Sequence, residues 1–354
     1  MCTIDRLHVK DGKTPKSVIH SPGKWSVSVV QLKSKQKRGF MARPKLNFQI
    51  GLELGNGNIK MVSEDFCDRI PSYIDNCQAS DALGSVRIKG ETDTTFCVGY
   101  GASKSKTGIP TSSDKTIKID GINKLYLGAL AHLPNLSKKM HCQIIVSTHA
   151  WESHKEIIKT NLNKTLSVKL ADTDVELSTD VLAIVPEGFG AIAFNPEPKI
   201  ATLDFGTGTT LLTPYTNRKP QETRTSIEGV QKLINMIADS MKPSNNGYVG
   251  DANEIRRCLE QGTFKTADGC DFKPIYQKCL SHWWNNYLKD LGTKAQKLSK
   301  DGFIITCIGG GVALPGFSKV LTAKGFTVTL DRPEMVSAKG LYQLAVKKAG
   351  VLNG

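Results

Sequence analysis

One pattern constrains this chain more than any other: a strand, a glycine-rich turn and a second strand occur twice, about 150 residues apart. The first copy spans residues 47–63 and the second spans residues 199–215. In each copy runs of apolar residues predict the strands, and small residues predict the tight turn between them. A duplicated unit of this kind predicts two similar α/β halves that face each other across a cleft, with each turn aimed into it.

Two further stretches of the sequence predict an insertion in each half. Residues 64–119 contain short strand-like pieces, among them 95–98 and 116–119, and predict a small irregular insertion more than a core. Residues 233–300 predict a helical insertion. Thr225 and Glu228 have the spacing of a capping box at the start of the helix that leads into this insertion.

Positive charge is concentrated at the N-terminus. Residues 1–47 contain eleven Lys or Arg and only two acidic residues, while the whole chain has a net charge of +14. Three interpretations of this basic arm stay open: a segment that contacts nucleic acid or an acidic partner, a solvated tail, or translation from a misplaced start upstream of Met41. Because the apolar pattern begins only near Asn47, we expect residues 1–46 to lie outside the folded body.

Cysteine usage and hydropathy indicate in which cellular compartment the protein is expected. The nine cysteines are scattered and form no C-x-x-C pair, which excludes a zinc ribbon or a thioredoxin-like motif. An odd number of cysteines without a secretory signal is typical of reduced thiols in a cytoplasm. No run approaches the ~18 apolar residues that a membrane-spanning helix needs. We therefore expect a cytoplasmic protein without a membrane partner.

The two hairpin turns carry residues suited to binding phosphate. The first reads ELGNGNIK at residues 53–60, and the second reads DFGTGT at residues 204–209. Glycine allows a backbone to approach a phosphate closely and to turn its N–H groups toward it. The carboxylates that precede the turns, Glu53 and Asp204, can hold Mg²⁺ through water, and the metal offsets phosphate charge. Two such turns in matching positions of a repeat are stronger evidence than one.

A third glycine-rich segment, CIGGGV at residues 307–312, follows an apolar strand. Three glycines between a strand and a helix permit close contact with a flat ring or a phosphate. The same pattern also serves as a tight strand-to-helix connection, and the segment alone leaves both interpretations open.

In this order and spacing, the three segments resemble the phosphate-one, phosphate-two and adenosine motifs of the superfamily that contains actin, sugar kinases and heat-shock chaperone ATPases. Within it, residues 47–350 are most similar to bacterial actin-like plasmid segregation proteins of the ParM/StbA type. The resemblance implies an actin-like (RNase H-like) ATPase fold, with two duplicated α/β domains around a nucleotide cleft. Domain I would comprise residues 47–190 plus 333–354, and domain II residues 191–332.

The resemblance also implies a role for each matching residue. The segment 185–191 resembles the connecting helix whose glutamate positions the attacking water, which makes Glu187 the water-orienting residue. Asp204 becomes the catalytic carboxylate associated with Mg²⁺, and Glu53 becomes a second carboxylate that acts on the metal through water. The implied phosphate contacts are Gly55, Asn56, Gly57, Asn58, Lys60, Gly206, Thr207, Gly208 and Thr209. The implied adenosine contacts are Glu228, Gly229, Lys232, Gly309, Gly310 and Gly311.

Glu53 departs from the pattern of the family, whose phosphate-one motif usually begins with aspartate. Glutamate is one methylene longer and still reaches a metal-bound water. The longer side chain predicts a shifted metal or slower hydrolysis, and the alternative is that Glu53 makes a structural hydrogen bond only.

The resemblance implies a protein that binds and hydrolyses Mg²⁺-ATP, with GTP as the alternative nucleotide, and polymerises into filaments that segregate plasmid DNA. Its implied partners are further copies of itself and an adaptor bound to a centromere-like site, with the basic arm as a second, direct route to DNA. Two alternatives share the fold: a small-molecule (sugar or acid) kinase, and a chaperone-like ATPase that does not polymerise. A kinase needs a catalytic base beside a substrate pocket, whereas the segment around Glu187 favours water as the phosphoryl acceptor.

Overall fold

The chain forms two β-sheets flanked by helices. The computed structural model describes residues 47–76, 83–90, 93–111, 120–148, 151–242 and 247–352. The basic arm at 1–46 and the strand predicted at 116–119 lie outside these ranges.

The first sheet has ten strands and a parallel centre. Its strands are β1 (Asn47–Leu54), β2 (Asn58–Val62), β3 (Cys67–Pro71), β4 (Tyr73–Asp75), β5 (Ser85–Ile88), β6 (Thr94–Val98), β7 (Ile109–Pro110), β8 (Lys139–Thr148), β9 (Thr165–Leu170) and β10 (Thr173–Pro186). Their order across the sheet is β3-β2-β1-β8-β10-β9-β5-β6-β4-β7. β8 pairs in parallel with both β1 and β10. β1 and β8 are almost wholly buried, as expected for parallel strands covered on both faces.

The second sheet is smaller and has the same kind of centre. Its strands are β11 (Lys199–Phe205), β12 (Thr210–Thr216), β13 (Lys219–Pro220), β14 (Arg224–Ser226), β15 (Ile304–Ile308) and β16 (Thr327–Val328). The order is β13-β12-β11-β15-β16, and β14 pairs with β12. β11 pairs antiparallel with β12 and parallel with β15.

The duplication predicted from the sequence is present in these two sheets. β1 and β2 form an antiparallel hairpin, and β1 lies parallel to β8. β11 and β12 form the equivalent hairpin, and β11 lies parallel to β15. Each sheet therefore carries a carboxylate near the end of a central strand, Glu53 on β1 and Asp204 on β11.

Helices cover the sheets and close two hydrophobic cores. The α-helices in the described ranges are α1 (Tyr100–Lys104), α2 (Ile122–Leu130), α3 (Lys155–Leu162), α4 (Val230–Ser240), α5 (Ala252–Glu260), α6 (Lys273–His282), α7 (Lys289–Lys300), α8 (Phe317–Ala323) and α9 (Val336–Leu352). The second core contains Trp283 and Trp284 from a π-helical turn, together with Phe205 and Phe317, whose rings lie 5.1 Å apart. None of these helices combines the length and the apolar character that crossing a bilayer requires.

The prediction of an irregular insertion at residues 64–119 is wrong for the part that the structure describes. β3 to β7 come from this segment and extend the first sheet at both ends. Ile70, Val86, Phe96 and Val98 are fully buried in the first core. The strand-like piece predicted at 95–98 corresponds to β6. The other strands of this segment are only two to five residues long, so their apolar periodicity is too brief to separate them from loops in the sequence.

The capping box predicted at Thr225 and Glu228 is also absent. Thr225 belongs to β14, and α4 begins after Gly229 without a side-chain cap. The Glu228 amide instead donates to the Ser226 hydroxyl at 3.2 Å. α4 packs one apolar face into the second core, because Leu233, Ile234 and Ile237 are buried.

Helix α9 lies against the first sheet at an unusually short distance. A Cβ atom added to Gly51 of β1 would overlap the backbone of Ala338 and Tyr342. Gly340 of α9 and Gly190 of the 3₁₀ turn Phe189–Ile192 are in similar backbone contact. The absence of side chains at these glycines lets the helix and the sheet approach this closely.

Candidate functional site

The two hairpin turns meet at one cavity of about 320 Å³. Its lining combines polar residues of both turns with apolar and charged residues of α4, α5 and the third glycine segment. The lining residues predicted from the sequence are Glu53, Gly55, Asn56, Gly57, Asn58, Lys60, Glu187, Asp204, Gly206, Thr207, Thr209, Gly310 and Gly311. A cavity of this size and mixed lining is typical of small-ligand sites.

The first turn is held in place by its own backbone and by a neighbouring serine. The Gly55 amide donates to the Asn58 carbonyl at 3.2 Å. The Ser72 hydroxyl donates to the Gly55 carbonyl at 2.9 Å, and the Ser72 amide donates to the Gly57 carbonyl at 3.1 Å. The carbonyl groups of Gly55 and Gly57 thus both accept hydrogen bonds from Ser72, which lies on one side of the turn.

The second turn is fixed against the start of α4. The Gly206 amide donates to the Thr209 carbonyl at 2.9 Å. The amides of Val230 and Gln231, in the first turn of α4, donate to the carbonyls of Gly206 and Thr207 at 3.0 and 2.8 Å. The first amides of a helix, which lack partners within the helix, are thus used to hold the hairpin.

The two turns approach each other directly. A Cβ atom added to Gly57 would lie 2.9 Å from the Thr207 hydroxyl, and one added to Gly208 would lie 3.8 Å from Nδ2 of the Asn56 side chain. The structure therefore brings the two halves of the repeat together at their glycine turns, as the duplication predicted.

Three carboxylates surround one ammonium group at the base of the cavity. Lys60 is ion-paired to Glu53, which lies opposite it across the β1–β2 hairpin. Burial favours the neutral amine of Lys60, but the carboxylates of Glu53, Asp204 and Glu187 outweigh burial and raise its pKa. Burial raises the pKa of the Asp204 carboxyl, Lys60 opposes this shift, and Glu53 and Glu187 add to it. With Asp204 ionised, one lysine faces three carboxylates, and this form of the cluster favours an additional cation.

The chemistry of this cluster fits Mg²⁺. Glu53 Oε2 and Asp204 Oδ1 are buried and have no hydrogen-bond partner among the described residues. Carboxylate oxygens are hard ligands of the type that Mg²⁺ prefers. Within the described ranges no three acidic, histidine or cysteine side chains form a metal site by themselves. Glu53 and Asp204 would therefore hold Mg²⁺ only together with water or other groups from outside the described residues.

The third glycine-rich segment, residues 307–312, lies against the Asp204 carboxylate. Gly309 has a φ of 90°, and a Cβ atom added to it would overlap Asp204 Oδ1 and lie 2.7 Å from the Phe205 carbonyl oxygen. Gly310 and Gly311 begin the 3₁₀ turn Gly310–Ala313 and line the cavity. A side chain at Gly309 would displace the Asp204 carboxylate, which explains why glycine occupies this position.

Glu228, Gly229 and Lys232, predicted as adenosine contacts, do not line the cavity. Lys232 lies 3.8 Å from Glu228 and 4.6 Å from the ring centre of Tyr287. The Glu228 carbonyl accepts a hydrogen bond from the Trp283 indole at 2.9 Å. Gly208 and Gly309 also lie outside the lining, although each is next to residues that form it.

The sequence analysis missed a group of residues that line the cavity. They are Arg69, Phe205, Val230, Ile234, Arg256, Leu259, Glu260, Ala313, Leu314 and Glu334. Two of them, Arg69 on β3 and Glu260 on α5, form an ion pair of 3.2 Å between elements of the two halves. The spacing of Arg256, Leu259 and Glu260 places them on one face of a helix, but the sequence carried no signal that this face borders the cavity.

No protein-family model and no curated protein sequence matches the chain. Solved structures do match it across most of its length. Ta0583, an archaeal actin homologue, has a TM-score of 0.68 at 16% identity, covering 85% of this chain and 99% of its own. ParM from Bacillus thuringiensis, solved with ATP, has a TM-score of 0.64 at 15% identity, covering 86% and 100%. A 15-stranded ParM filament from Clostridium botulinum has a TM-score of 0.62 at 20% identity, covering 86% and 100%.

These similarities confirm the predicted resemblance at the level of the fold. The chain has the two-sheet, duplicated α/β architecture of actin-like proteins, and ParM structures are among those it matches. The sequence identities of 15–20% are low, so the similarity extends to the fold alone.

Proposed function

We propose that this protein binds and hydrolyses ATP in the cavity between the two hairpins. One observation carries the proposal: both glycine turns, Asp204, Glu187 and Lys60 line a single cavity, although they come from distant parts of the sequence. We propose ATP as the nucleotide, and not GTP, because a ParM neighbour of the same fold was solved with ATP.

The phosphates are proposed to lie between the two turns. Glycine turns offer backbone N–H groups at close range, and the charged ammonium of Lys60 adds a cation. Glu53 and Asp204 would hold Mg²⁺ through water, and the metal would neutralise phosphate charge. The unpartnered oxygens Glu53 Oε2 and Asp204 Oδ1 support this assignment, because a buried acceptor without a donor is costly.

Glu187 is proposed to orient the attacking water. It follows Pro186 at the end of β10, and it is close enough to Lys60 and Asp204 to raise the pKa of each. In phosphoryl transfer the protein contributes mainly by positioning and electrostatics, and a carboxylate that accepts a proton from water supplies both.

Polymerisation and plasmid segregation complete the proposal. Polymerisation is supported by the likeness to a ParM filament, in which copies of one protein assemble, and plasmid segregation only by the resemblance of the three glycine-rich segments to plasmid segregation proteins. A filament requires a heterologous contact that does not close into a ring. DNA would be reached through an adaptor, with the basic arm as a second route. A cytoplasmic location is consistent with the seven cysteines of the described ranges, all of which are free thiols.

Glu187→Ala tests the proposed function. We expect ATP binding to survive, because Glu187 is assigned to the water and not to the nucleotide. We expect hydrolysis to fall by about 10²–10⁴-fold and any filaments to persist longer than those of the wild type. Phosphate release and pelleting would be followed in one reaction after addition of Mg²⁺-ATP.

Glu197→Ala is the matched control, because Glu197 is a solvent-exposed glutamate just before β11. A Glu187 variant that releases phosphate as fast as this control would remove Glu187 from the reaction. Wild-type protein that hydrolyses ATP without forming any pelletable polymer would remove the filament from the proposal.

A further inference from the structure

The positive charge of the folded body is concentrated in one segment. Residues 273–324, which include α6, α7 and α8, contain eight lysines and two aspartates. The rest of residues 48–354 contains 28 basic and 29 acidic residues and is therefore close to neutral. We call the eight lysines of this segment the lysine surface: Lys273, Lys278, Lys289, Lys294, Lys297, Lys300, Lys319 and Lys324.

Packing joins the three helices into one surface. The Tyr276 hydroxyl of α6 donates to the carbonyl of Pro315, just before α8, at 2.7 Å. The Trp284 ring, in the π-helical turn before α7, lies 3.0 Å from a Cβ atom added to Gly292 of α7. Lys324, at the end of α8, has its Nζ atom 5.2 Å from the centre of the same Trp284 ring. The lysines of α6, α7 and α8 therefore lie on neighbouring elements.

The lysine surface is not neutralised by carboxylates of the described residues. Seven of the eight lysines are exposed, and Lys324 is half-buried. The ion pairs between described side chains all involve basic residues outside this surface. Asp290 lies four residues before Lys294, a spacing that favours a helical pair, but no such pair is among them. Clustered charges of one sign create a field that attracts an oppositely charged partner.

Helix α7 presents its lysines along its length. Lys289 and Lys300 are eleven residues apart, which is three helical turns or about 16 Å along the axis. Lys297 lies on the same exposed side, whereas Ala295 and Leu298 are buried in the second core. A row of charges over this distance matches a partner whose own charges repeat closely, and duplex DNA carries one negative charge per about 1.7 Å.

The composition of the segment favours phosphates over other anions. Residues 273–324, all of which the structure describes, contain no arginine, and their one exposed large apolar side chain is Val320. Protein interfaces are enriched in arginine and aromatic residues and depleted in lysine. Membrane-binding helices need an exposed apolar face, and single-stranded nucleic acids need aromatic side chains on which bases stack.

The shape of the surface favours the B-form of a duplex. The lysines are carried by α-helices, and an α-helix fits the major groove of B-form DNA, which is about 12 Å wide. The major groove of an A-form RNA duplex is deep and too narrow for this. Lysine provides a point charge for a phosphate and lacks the planar fork with which arginine pairs with a base edge.

We propose that the lysine surface binds the phosphate backbone of double-stranded DNA without reading its sequence. The inference goes beyond the proposed function, because none of the eight lysines lines the nucleotide cavity. It gives the folded body a contact with DNA that is separate from the basic arm and from an adaptor.

The test measures the affinity of the full chain for DNA in the absence of nucleotide. A short fluorescein-labelled duplex of arbitrary sequence is titrated with protein at KCl concentrations between about 50 and 200 mM, and fluorescence anisotropy gives the dissociation constant. The main variant combines Lys289→Gln, Lys297→Gln and Lys300→Gln on α7. The matched control combines Lys155→Gln, Lys159→Gln and Lys164→Gln, which removes three exposed lysines on and beside α3.

We expect the α7 variant to bind DNA about tenfold or more weakly than the wild type at 50 mM KCl, and the α3 control to bind like the wild type. The slope of log affinity against log salt should become shallower by about one for each lysine that contacts a phosphate, since fewer counterions are released. A second duplex of unrelated sequence should bind the wild type equally well. Thermal unfolding verifies that each variant is folded.

Lys278→Gln combined with Lys319→Gln provides a second variant, on α6 and α8, if the α7 variant does not fold; its slope should become shallower by about two. Equal affinity and equal salt slope in the lysine-surface variants and the α3 control would overturn the inference. Poly-glutamate or an RNA duplex that binds the wild type as tightly as DNA does would also overturn it, by assigning the surface to another partner.

Phosphate release from ATP, measured on the same proteins, separates this inference from the proposed function. The lysine-surface variants should release phosphate at the wild-type rate, because their substitutions lie outside the cavity. A wild type that binds DNA through the lysine surface but releases no phosphate would overturn the proposed function and support the inference.

Discussion

Replacing Gly309 with alanine should lower the stability of this protein and displace a carboxylate of its proposed nucleotide site, whereas the same change at the next residue should not lower the stability. Gly309 has a φ of 90°, and an added Cβ atom would overlap Asp204 Oδ1 and lie 2.7 Å from the Phe205 carbonyl oxygen. Gly310 begins a 3₁₀ turn, and nothing lies within 4 Å of a Cβ atom added there. The two glycines are therefore a matched pair.

The expected cost has two parts. A non-glycine residue held at this φ costs about 1–3 kcal/mol, and forcing a methyl group into a filled site costs about 1–3 kcal/mol more. The free energy of unfolding should therefore fall by about 2–6 kcal/mol, a large part of the roughly 5–15 kcal/mol that stabilises a typical protein. Gly310→Ala should lie between neutral and about 1 kcal/mol stabilising, because alanine reduces the entropy of the unfolded chain.

Two assays separate the effect on stability from the effect on the site. Thermal unfolding should show a Tm at least about 4 °C lower for Gly309→Ala and nearly unchanged for Gly310→Ala. Titration with Mg²⁺-ATP, below the Tm of each protein, should show weaker binding for Gly309→Ala than for the wild type, since the added methyl group displaces the Asp204 carboxylate. Equal Tm values for the two variants, together with wild-type affinity in Gly309→Ala, would refute the assignment of Gly309 as a packing partner of Asp204.

Three further outcomes are expected. Asp204→Ala should abolish Mg²⁺-dependent hydrolysis, and turnover equal to the wild type at saturating Mg²⁺-ATP would contradict its assignment. Deleting residues 1–40 should leave ATP binding and polymerisation intact in calorimetry and pelleting assays, because the apolar pattern starts near Asn47; loss of the circular dichroism spectrum would place the arm in the folded body. Burial lowers the pKa of His132, whose imidazole hydrogen-bonds the Val98 carbonyl at 3.2 Å. The unfolded chain then binds the proton more tightly, so the free energy of unfolding should fall between pH 7 and pH 5. Urea denaturation should show a shallower fall for His132→Gln, and equal slopes would contradict the role of His132.

The parts of the fold that the sequence predicted are those that local chemistry specifies. The hairpins at Glu53 and Asp204 were predictable because a glycine turn between two apolar strands leaves few alternatives. Their meeting in one cavity followed from the repeat, since equivalent units of a duplicated fold present equivalent ends to each other. The resemblance to actin-like motifs added the position of Glu187, which no periodicity would have singled out.

The parts that were missed depend on how elements pack together. Arg256 and Glu260 border the cavity only because α5 lies beside α4, and an amphipathic helix does not reveal which neighbour its polar residues will meet. The start of α4 was predicted too early for a related reason: its first amides bind the hairpin carbonyls of Gly206 and Thr207, so no side-chain cap is needed.

The contact between α9 and β1 has a consequence for how the protein is made. Gly51 of β1 leaves the ribosome early, whereas Ala338 and Tyr342, whose backbones it touches, are synthesised on the order of tens of seconds later at about 5–20 residues per second. Until then one face of the central parallel strands lacks its covering helix. The apolar surface of the first sheet therefore stays exposed while the second sheet is synthesised. This exposed surface makes the nascent chain a candidate client for ribosome-associated chaperones.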